Sequence, residues 1–529
     1  MGILDYKTER EGDVNKIKNS NHPRKVIVAG PGTGKSFLFQ ELIRAKKLEG
    51  KKDFIAITFI GKLGDALADE LCGLAETMTM HGFARKFILE KCKGWVYYPK
   101  IYDVIREDLK KKGIASFEIG DNNYKERSAC YKVVGDADVI YYAVQICKKD
   151  NNQIPKYDLI LIDEFQDFNE IESEFVDLLS QKNEIVIVGD DDQALYGFKG
   201  SSPDYIRSKY DKANQGFESH TLRFCSRCTE VIIKCFHTIV KKFNLNDPAK
   251  NRIQKEYICY APDKQDDSMA NPKIHLIKNC PIGMIAFKIR SELEKIIIDQ
   301  KIKEVLVLGE GRSCKAILES VARQLSNYGF KNIYYGKDEG ILNIRQEVVG
   351  AYKFINKDKE SLLGWRILGN PTSEVEKSKH IKNSEILNII IGGAPSKIRG
   401  IKDADVDNLK NEIEETPVAD KKIRRELLFK EIKSRNINLA RPLSSLDITV
   451  CNILGSKGLG ADVVFVIGFD QGKIPAKTKV EDGEIYQILV ALTRAKKRIY
   501  FINTTGKKVS SFIDCLDEKD LEIEEIKSN

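Results

Sequence analysis

Residues Lys25-Val-Ile-Val-Ala-Gly-Pro-Gly-Thr-Gly-Lys-Ser-Phe37 pass from an apolar run into three glycines and then into a helical pattern. Val26 to Ala29 has the length and β-branched character of a short buried strand. Gly30, Pro31, Gly32, Thr33 and Gly34 let the backbone wrap closely round an anion, with several N–H groups turned inward. The helix predicted over 37–45 adds partial positive charge at its N-terminus. Lys35 can reach terminal phosphates, and the Ser36 hydroxyl can ligate Mg²⁺. An ordinary Gly-rich turn is the plain alternative, and the strand–loop–helix context argues against it. Ala29 stands where the general phosphate-loop pattern has its first glycine. The stretch predicts nucleotide binding and is silent on how the energy is used.

Outward from this loop, short apolar runs alternate with helical patterns, the rhythm of a parallel α/β sheet. A strand over 54–57 ends in Thr58-Phe59-Ile60-Gly61-Lys62, a helix follows over 63–74, and then comes Thr79-Met80-His81-Gly82-Phe83. Tyr157-Asp-Leu-Ile-Leu-Ile162 reads as a buried strand and ends in Asp163-Glu164-Phe165-Gln166-Asp167. Carboxylates at that end of a parallel strand lie where such sheets bind ligands. Asp163 can hold Mg²⁺ through water, and Glu164 can orient and deprotonate an attacking water. The same acids would serve as a helix cap and first turn; on the residues alone the two readings stand level. A strand over 184–188 delivers Gly189-Asp-Asp-Asp-Gln193-Ala-Leu-Tyr196-Gly-Phe198-Lys199-Gly200. An amide, two aromatics and a cation on one loop can couple phosphate to a stacked base, or the loop is simply anchored by its aromatics.

A second α/β set is predicted from strands near 274–277, 305–308, 333–335, 448–450, 463–467 and 498–502, with helices over 316–325 and 485–497. The last helix carries Thr493-Arg494-Ala495. Residues 85–150 lack strand–Gly–helix units and read as an inserted helical subdomain; 346–445 lose the strand rhythm again. The basic segment 421–433 has an amphipathic helical pattern suited to duplex phosphate or, more simply, to solvent. Residues 1–24 show no clear fold signal, and the acid-rich tail from Asp514 reads as frayed.

With 529 residues, 42% hydrophobic and 31% charged, the chain has room for roughly three or four globular domains. No apolar run approaches the ~20 residues of a membrane helix. The polar N-terminus is no secretory signal, so a cytoplasmic protein is expected. A net charge of +8 permits nucleic-acid binding without demanding it. The cysteines are scattered. Cys225-Ser-Arg-Cys228 has no second pair or histidines at ligand spacing, and so reads as packed thiols rather than a metal site.

As a set, these stretches resemble the superfamily 1A DNA helicases of the UvrD/Rep/PcrA type. The matches run in family order at 29–36, 58–62, 79–83, 161–167, 188–200, 222–229, 456–466 and 492–496. The resemblance implies two RecA-like P-loop motor domains with parallel sheets, each carrying a mostly helical insertion. Motor 1 would be 1–84 and 151–225 with insertion 85–150. Motor 2 would be 226–345 and 446–529 with a reduced insertion, 346–445. ATP and Mg²⁺ would lie between the motors. By position, Ala29 to Ser36 would cradle phosphate, Ser36 and Asp163 would hold Mg²⁺, and Glu164 would be the base. Gln193 would sense the γ-phosphate, and Arg227 and Arg494 would be the two arginines supplied by motor 2. Thr58, His81, Tyr196, Phe198 and Lys199 would touch single-stranded DNA. Four departures stand out. No adenine-reading Gln motif precedes Lys25, Ser226 replaces a stacking Tyr, Gly460 replaces a sugar-contacting Glu, and both insertions are short. The implied function is an ATP-dependent 3′–5′ translocase and helicase acting on single strands and duplex junctions. The alternative is a DNA-sensing regulatory ATPase partnered by a nuclease, in repair or antiphage defence, with little unwinding of its own. RNA is a third, weaker track.

Overall fold

The computed structural model describes residues 3–59, 61–210, 216–245, 247, 251–336, 351, 354, 358, 361–369, 429–431, 441–477 and 479–527. Six strands form the first sheet: β1 (Arg24–Ala29), β2 (Phe54–Thr58), β3 (Glu76–Thr79), β4 (Leu159–Ile162), β5 (Ile185–Gly189) and β6 (Glu218–Leu222). They lie in the order β3-β2-β4-β5-β1-β6, all parallel. β1, β4 and β5 are β-branched runs buried along almost their whole length, as a sheet covered on both faces requires. Because β1, β5 and β4 are neighbours, the loops leaving their C-terminal ends converge. These are the phosphate loop, Asp163–Asp167 and Asp190–Gln193.

The second sheet has eight strands: β7 (Ile274–Cys280), β8 (Glu304–Gly309), β9 (Asn332–Gly336), β10 (Phe429–Glu431), β11 (Asp447–Asn452), β12 (Ala461–Ile467), β13 (Ala495–Thr504) and β14 (Leu521–Glu525). Their order is β10-β9-β11-β8-β12-β13-β7-β14, parallel except for β10 at the edge. Helices cover both faces of each sheet and separate the apolar interior into paired cores. The turn at Cys225–Cys228 and the helix Glu230–Lys242 pack into the second core, against Leu276 and Val464. The parallel architecture is the one that the resemblance implies.

Four local expectations change. Residues Ile3–Lys18 form a helix. It is polar nearly all round, and only Val14 and Ile17 reach the core, which is why its pattern is faint. The helix expected over 485–497 runs Asp482–Thr493, because Ala495 already pairs with Ala461 as the start of β13. Residues 429–431, expected to be helical, form β10, while the rest of 421–433 lies outside the described residues. The acid-rich tail is no frayed end: Leu521-Glu-Ile-Glu-Glu525 adds to β7 as β14. Lys288 meets Glu524 at 2.6 Å and Lys234 meets Asp520 at 2.5 Å, so lysines balance the tail's acids.

Within 85–150 the helices Ile101–Lys111, Asn122–Tyr131 and Val139–Lys149 are joined by a short parallel pair, Val96–Tyr97 with Val133–Val134. Most of 346–445 lies outside the described residues. Its helix Leu362–Gly369, however, buries Leu363 and Ile367 in the core of the first insertion, beside Ile105 and Tyr124. Arg366, fully buried, donates to Asp108 at 2.7 Å and to Glu107 at 3.2 Å, and Arg127 reaches the same Asp108 at 3.1 Å.

Candidate nucleotide site between the two sheets

The phosphate loop has the conformation that its glycines allow. Gly32 and Gly34 take φ of 66° and 90°, and Gly34 caps the helix Lys35–Leu48 from the left-handed region. The Thr33 hydroxyl ties the loop back to the Gly30 carbonyl at 2.9 Å. The glycines also admit the second core. A Cβ on Gly30 would overlap the Tyr257 ring, and one on Gly32 would overlap Arg227 Cβ. Ser226 N–H donates to the Gly32 carbonyl at 2.9 Å. Segments of the second core therefore lie directly on the loop.

Lys35 Nζ donates to Glu164 at 2.7 Å and stands 3.8 Å from Asp163. Glu164 sits at φ 54°, a conformation uncommon for a residue with a Cβ and typical of functional positions. Burial alone would raise its carboxyl pKa, but Lys35 and then Lys457 outweigh burial and hold it well below the usual carboxylate range. Burial pushes Asp163 the other way, up to about 6, against the pull of Lys35. Ser36 Oγ contacts the Glu70 carboxylate rather than Asp163. A hydroxyl beside carboxylates is a hard-oxygen set that suits Mg²⁺.

From the second sheet's side, Arg494 Nη2 donates to Gln193 Oε1 at 3.0 Å and Nη1 to the Leu459 carbonyl at 3.1 Å. Gln193 donates in turn to Asp190 at 2.6 Å. Burial, then repulsion from Arg227, lowers Arg494 to about 10, so it stays charged at neutral pH. A Cβ on Gly460 would lie 3.6 Å from Arg227 Nε and 3.7 Å from the Arg494 carbonyl, so the residue that departs from the family pattern leaves room between both arginines. The structure thus gathers Lys35, Asp163, Glu164, Gln193, Arg227 and Arg494 around one loop.

Lys457 had no role on sequence grounds. Its ammonium contacts Asp167, donates to the Gln193 carbonyl at 3.0 Å and lies 3.7 Å from Glu164. The clue was available: it is the sole cation in Ser456–Asp462, a Gly-rich loop between two predicted strands. Asp190, Asp191 and Asp192 could form a cation site, but the Lys255 ammonium stands among them, 3.2 Å from Asp190 and 3.0 Å from Asp192. Arg252 adds a two-pronged contact to Asp192 at 2.8 and 2.7 Å. No local motif marked either residue.

The expected DNA contacts divide. Phe198 is 70% exposed and Lys199 is exposed beside it. Tyr196, only 7% exposed, lies between Phe59 and Phe198, with ring centroids 4.9 and 5.9 Å away. It backs the exposed surface rather than forming it. Thr58 is fully buried at the end of β2, so its hydroxyl does not reach that surface. His81 is partly exposed at the start of Met80–Lys91, 3.7 Å from Glu172. Among the described residues no helix is long and apolar enough to cross a membrane.

A family model described as an AAA domain matches residues 14–199, and a model of the UvrD-like helicase C-terminal domain matches 374–506. A probable DNA helicase II homolog of Mycoplasma capricolum is 25% identical over 461 residues, covering 73% of this chain and 62% of that protein. The ATP-dependent DNA helicase Rep of Buchnera aphidicola (from Acyrthosiphon pisum) is 21% identical over 414 residues, 65% of this chain and 62% of that one. An ATP-dependent helicase/nuclease subunit from Lactococcus lactis is 29% identical over 227 residues, 38% of this chain and 18% of that protein. The chain spans less than two thirds of the length of these relatives.

Proposed function

The chain belongs to the UvrD/Rep type of superfamily 1 helicases, and from that premise we propose that it is an ATP-dependent DNA helicase translocating 3′ to 5′ on single strands. One observation carries the reading. Arg494 from the second sheet bonds Gln193 from the first, beside the Lys35–Glu164 pair. A group that registers the terminal phosphate is thereby tied across the cleft, so a change at the phosphate is felt by both halves.

Lys35 and the loop N–H groups would hold the β- and γ-phosphates, and Ser36 with Asp163 would hold Mg²⁺, whose charge would offset the negative charge that develops on the phosphates. Glu164, kept ionised by two lysines, would accept the proton of the attacking water. Arg227 and Arg494 would face charge that develops in the transition state, where a planar fork of donors is most effective. Phe198 and Lys199 would meet bases and backbone. The relatives matched along most of the chain are named helicases, which supports this reading over a non-unwinding ATPase of a nuclease complex. The match to a helicase/nuclease subunit supports only that a nuclease partner be sought.

The test measures phosphate release with and without single-stranded DNA, and unwinding of duplexes with a 3′ or a 5′ tail. Stimulation by DNA with unwinding only from the 3′ tail is expected. Equal rates with and without DNA would sink the coupling, and unwinding from the 5′ tail would reverse the polarity.

A further inference from the structure

Two free thiols, Cys225 and Cys228, bracket the turn that carries Arg227, and the nucleotide reading leaves them unused. Cys225 closes the short strand Phe224–Cys225, which pairs with Ile258–Cys259. Cys228 stands just ahead of Thr229, the cap of the helix Glu230–Lys242. The Cys228 N–H donates to Cys225 Sγ at 3.4 Å. The Cys228 thiol has two acceptors in reach, the Cys225 sulfur and the Thr493 carbonyl at 3.8 Å. That hydrogen bond from Cys228, the backbone N–H groups of Cys228 and Arg227 and the Arg227 charge outweigh burial and pull the Cys225 thiol down to about 7. The nucleophilic form, the thiolate, is therefore available at neutral pH. A zinc site would need more ligands. Among the described residues only Asp190, Asp191 and Asp192 gather three ligand atoms closely enough for a metal. Cys259, whose thiol meets the Cys228 carbonyl at 3.5 Å, does not complete such a group.

We infer that Cys225 and Cys228 form a reversible disulfide under hydrogen peroxide, and that the bond stalls ATP hydrolysis by shifting the turn that presents Arg227. The effect on hydrolysis rests on the ATPase reading above; the bond itself does not. The Cys225 thiolate attacks one peroxide oxygen and the O–O bond breaks. The hydroxide that leaves takes up the proton Cys225 had released, as water. The Cys228 sulfur then attacks the sulfenic acid on Cys225, the S–O bond breaks, and the hydroxyl leaves with the Cys228 proton as a second water. The two sulfurs lose two electrons and the peroxide gains them. Burial restricts the oxidant to one of this size: both sulfurs are closed to solvent, and only Ser226 and Arg227 between them are partly exposed. To bond, the sulfurs must close to about 2 Å. Cys228 then leaves the carbonyl of Thr493, the residue before Arg494. The turn tightens round Arg227, whose Cβ sits where a Cβ on Gly32 would overlap it. The phosphate loop leaves no slack on that side, so the Arg227 guanidinium is displaced with its backbone.

Treatment of the full chain with hydrogen peroxide tests this, read by non-reducing peptide mapping and by DNA-stimulated phosphate release. A Cys225–Cys228 bond, with two hydrogens lost, is expected. Turnover should fall about 10³-fold, the scale of one displaced transition-state arginine, while calorimetric titration still shows ATP bound. Dithiothreitol should restore turnover. Cys225→Ser and Cys228→Ser should each keep the turnover of the reduced chain and lose the sensitivity to peroxide. Sulfenic or sulfinic acid on Cys225 with no bond overturns the site, as does a bond from Cys225 to Cys259. Equal inactivation of the serine variants places the damage at another thiol and overturns the switch. A mapped bond with unchanged turnover overturns it too, and loss of ATP binding in step with turnover overturns the route through Arg227. If the reduced chain releases no phosphate, the ATPase reading itself fails, and the mapped bond alone decides the site.

Discussion

Glu164 meets two cations from opposite sides of the cleft, Lys35 at 2.7 Å and Lys457 at 3.7 Å. In Glu164→Gln, turnover should fall ~10²–10⁴-fold, the usual cost of losing a general base, while ATP still binds. Lys35→Ala should instead lose nucleotide affinity. Phosphate release and nucleotide titration separate the two, and near-normal turnover in Glu164→Gln would remove it from the base role. Lys457→Met strands the buried Asp167, and breaking a buried pair costs ~3–5 kcal/mol. Adding Asp167→Asn removes the orphaned charge, so the melting temperature should recover while turnover stays low. Recovery of both would make Lys457 purely structural. Glu172 gives a pH signature. Burial raises its carboxyl to about 7, against the Asn169 N–H that bonds it at 2.8 Å. A group whose pKa rises on folding contributes fully below its unfolded pKa, and that contribution is lost as pH climbs through the folded one. The ionised side chain then costs about 3 kcal/mol at most. Glu172→Gln keeps the capping acceptor, so the fall in stability that wild type shows in thermal melts between about pH 4.5 and 7.5 should flatten. An unchanged pH slope would show that Glu172 ionises freely in the fold.

Among the elements, the loop after β5 joins Gln193, tied to Arg494, to the exposed ring of Phe198. Phe198→Ala should impair streptavidin displacement from biotinylated single strands more than DNA-free ATP hydrolysis; equal losses would make the ring a structural anchor. Such loops were legible because their residue types announce themselves: glycines before Lys35, paired acids after β4, an amide with aromatics after β5. The strands were legible because buried parallel sheets demand continuous apolar runs. What escaped was stabilised from a distance. Ile3–Lys18 buries too little to show a stripe, β14 borrows its register from β7, and Lys255 joins the Asp190–Asp192 loop from 63 residues beyond Asp192 in sequence. Tyr196 and Thr58 lie in stretches whose alternation gave no sign of which aromatic or hydroxyl would face inward. Truncation before Leu521 should uncover the β7 edge and lower the melting temperature by several degrees for a domain of this size; an unchanged melt would make β14 dispensable.

At the scale of the whole molecule, the two sheets are fastened twice: across the nucleotide cleft, and through Leu362–Gly369, which the second sheet's excursion between β9 and β10 sends into the first insertion. Arg366→Met leaves Asp108 with Arg127 and removes one of the two buried cations on it. Hydrogen exchange across Ile101–Lys111 should quicken, and unchanged protection there would show that the apolar contacts suffice alone. This second fastening has a topological side. If the proposed track runs between these two fastenings, they close round it as a buckle closes round a strap, so that a strand is threaded by an end and a covalently closed circle stays outside. Linear single strands should then stimulate phosphate release well above circular ones of equal length, and Arg366→Met should narrow the gap by letting the buckle open. Equal stimulation by lines and circles would place the track outside the enclosure.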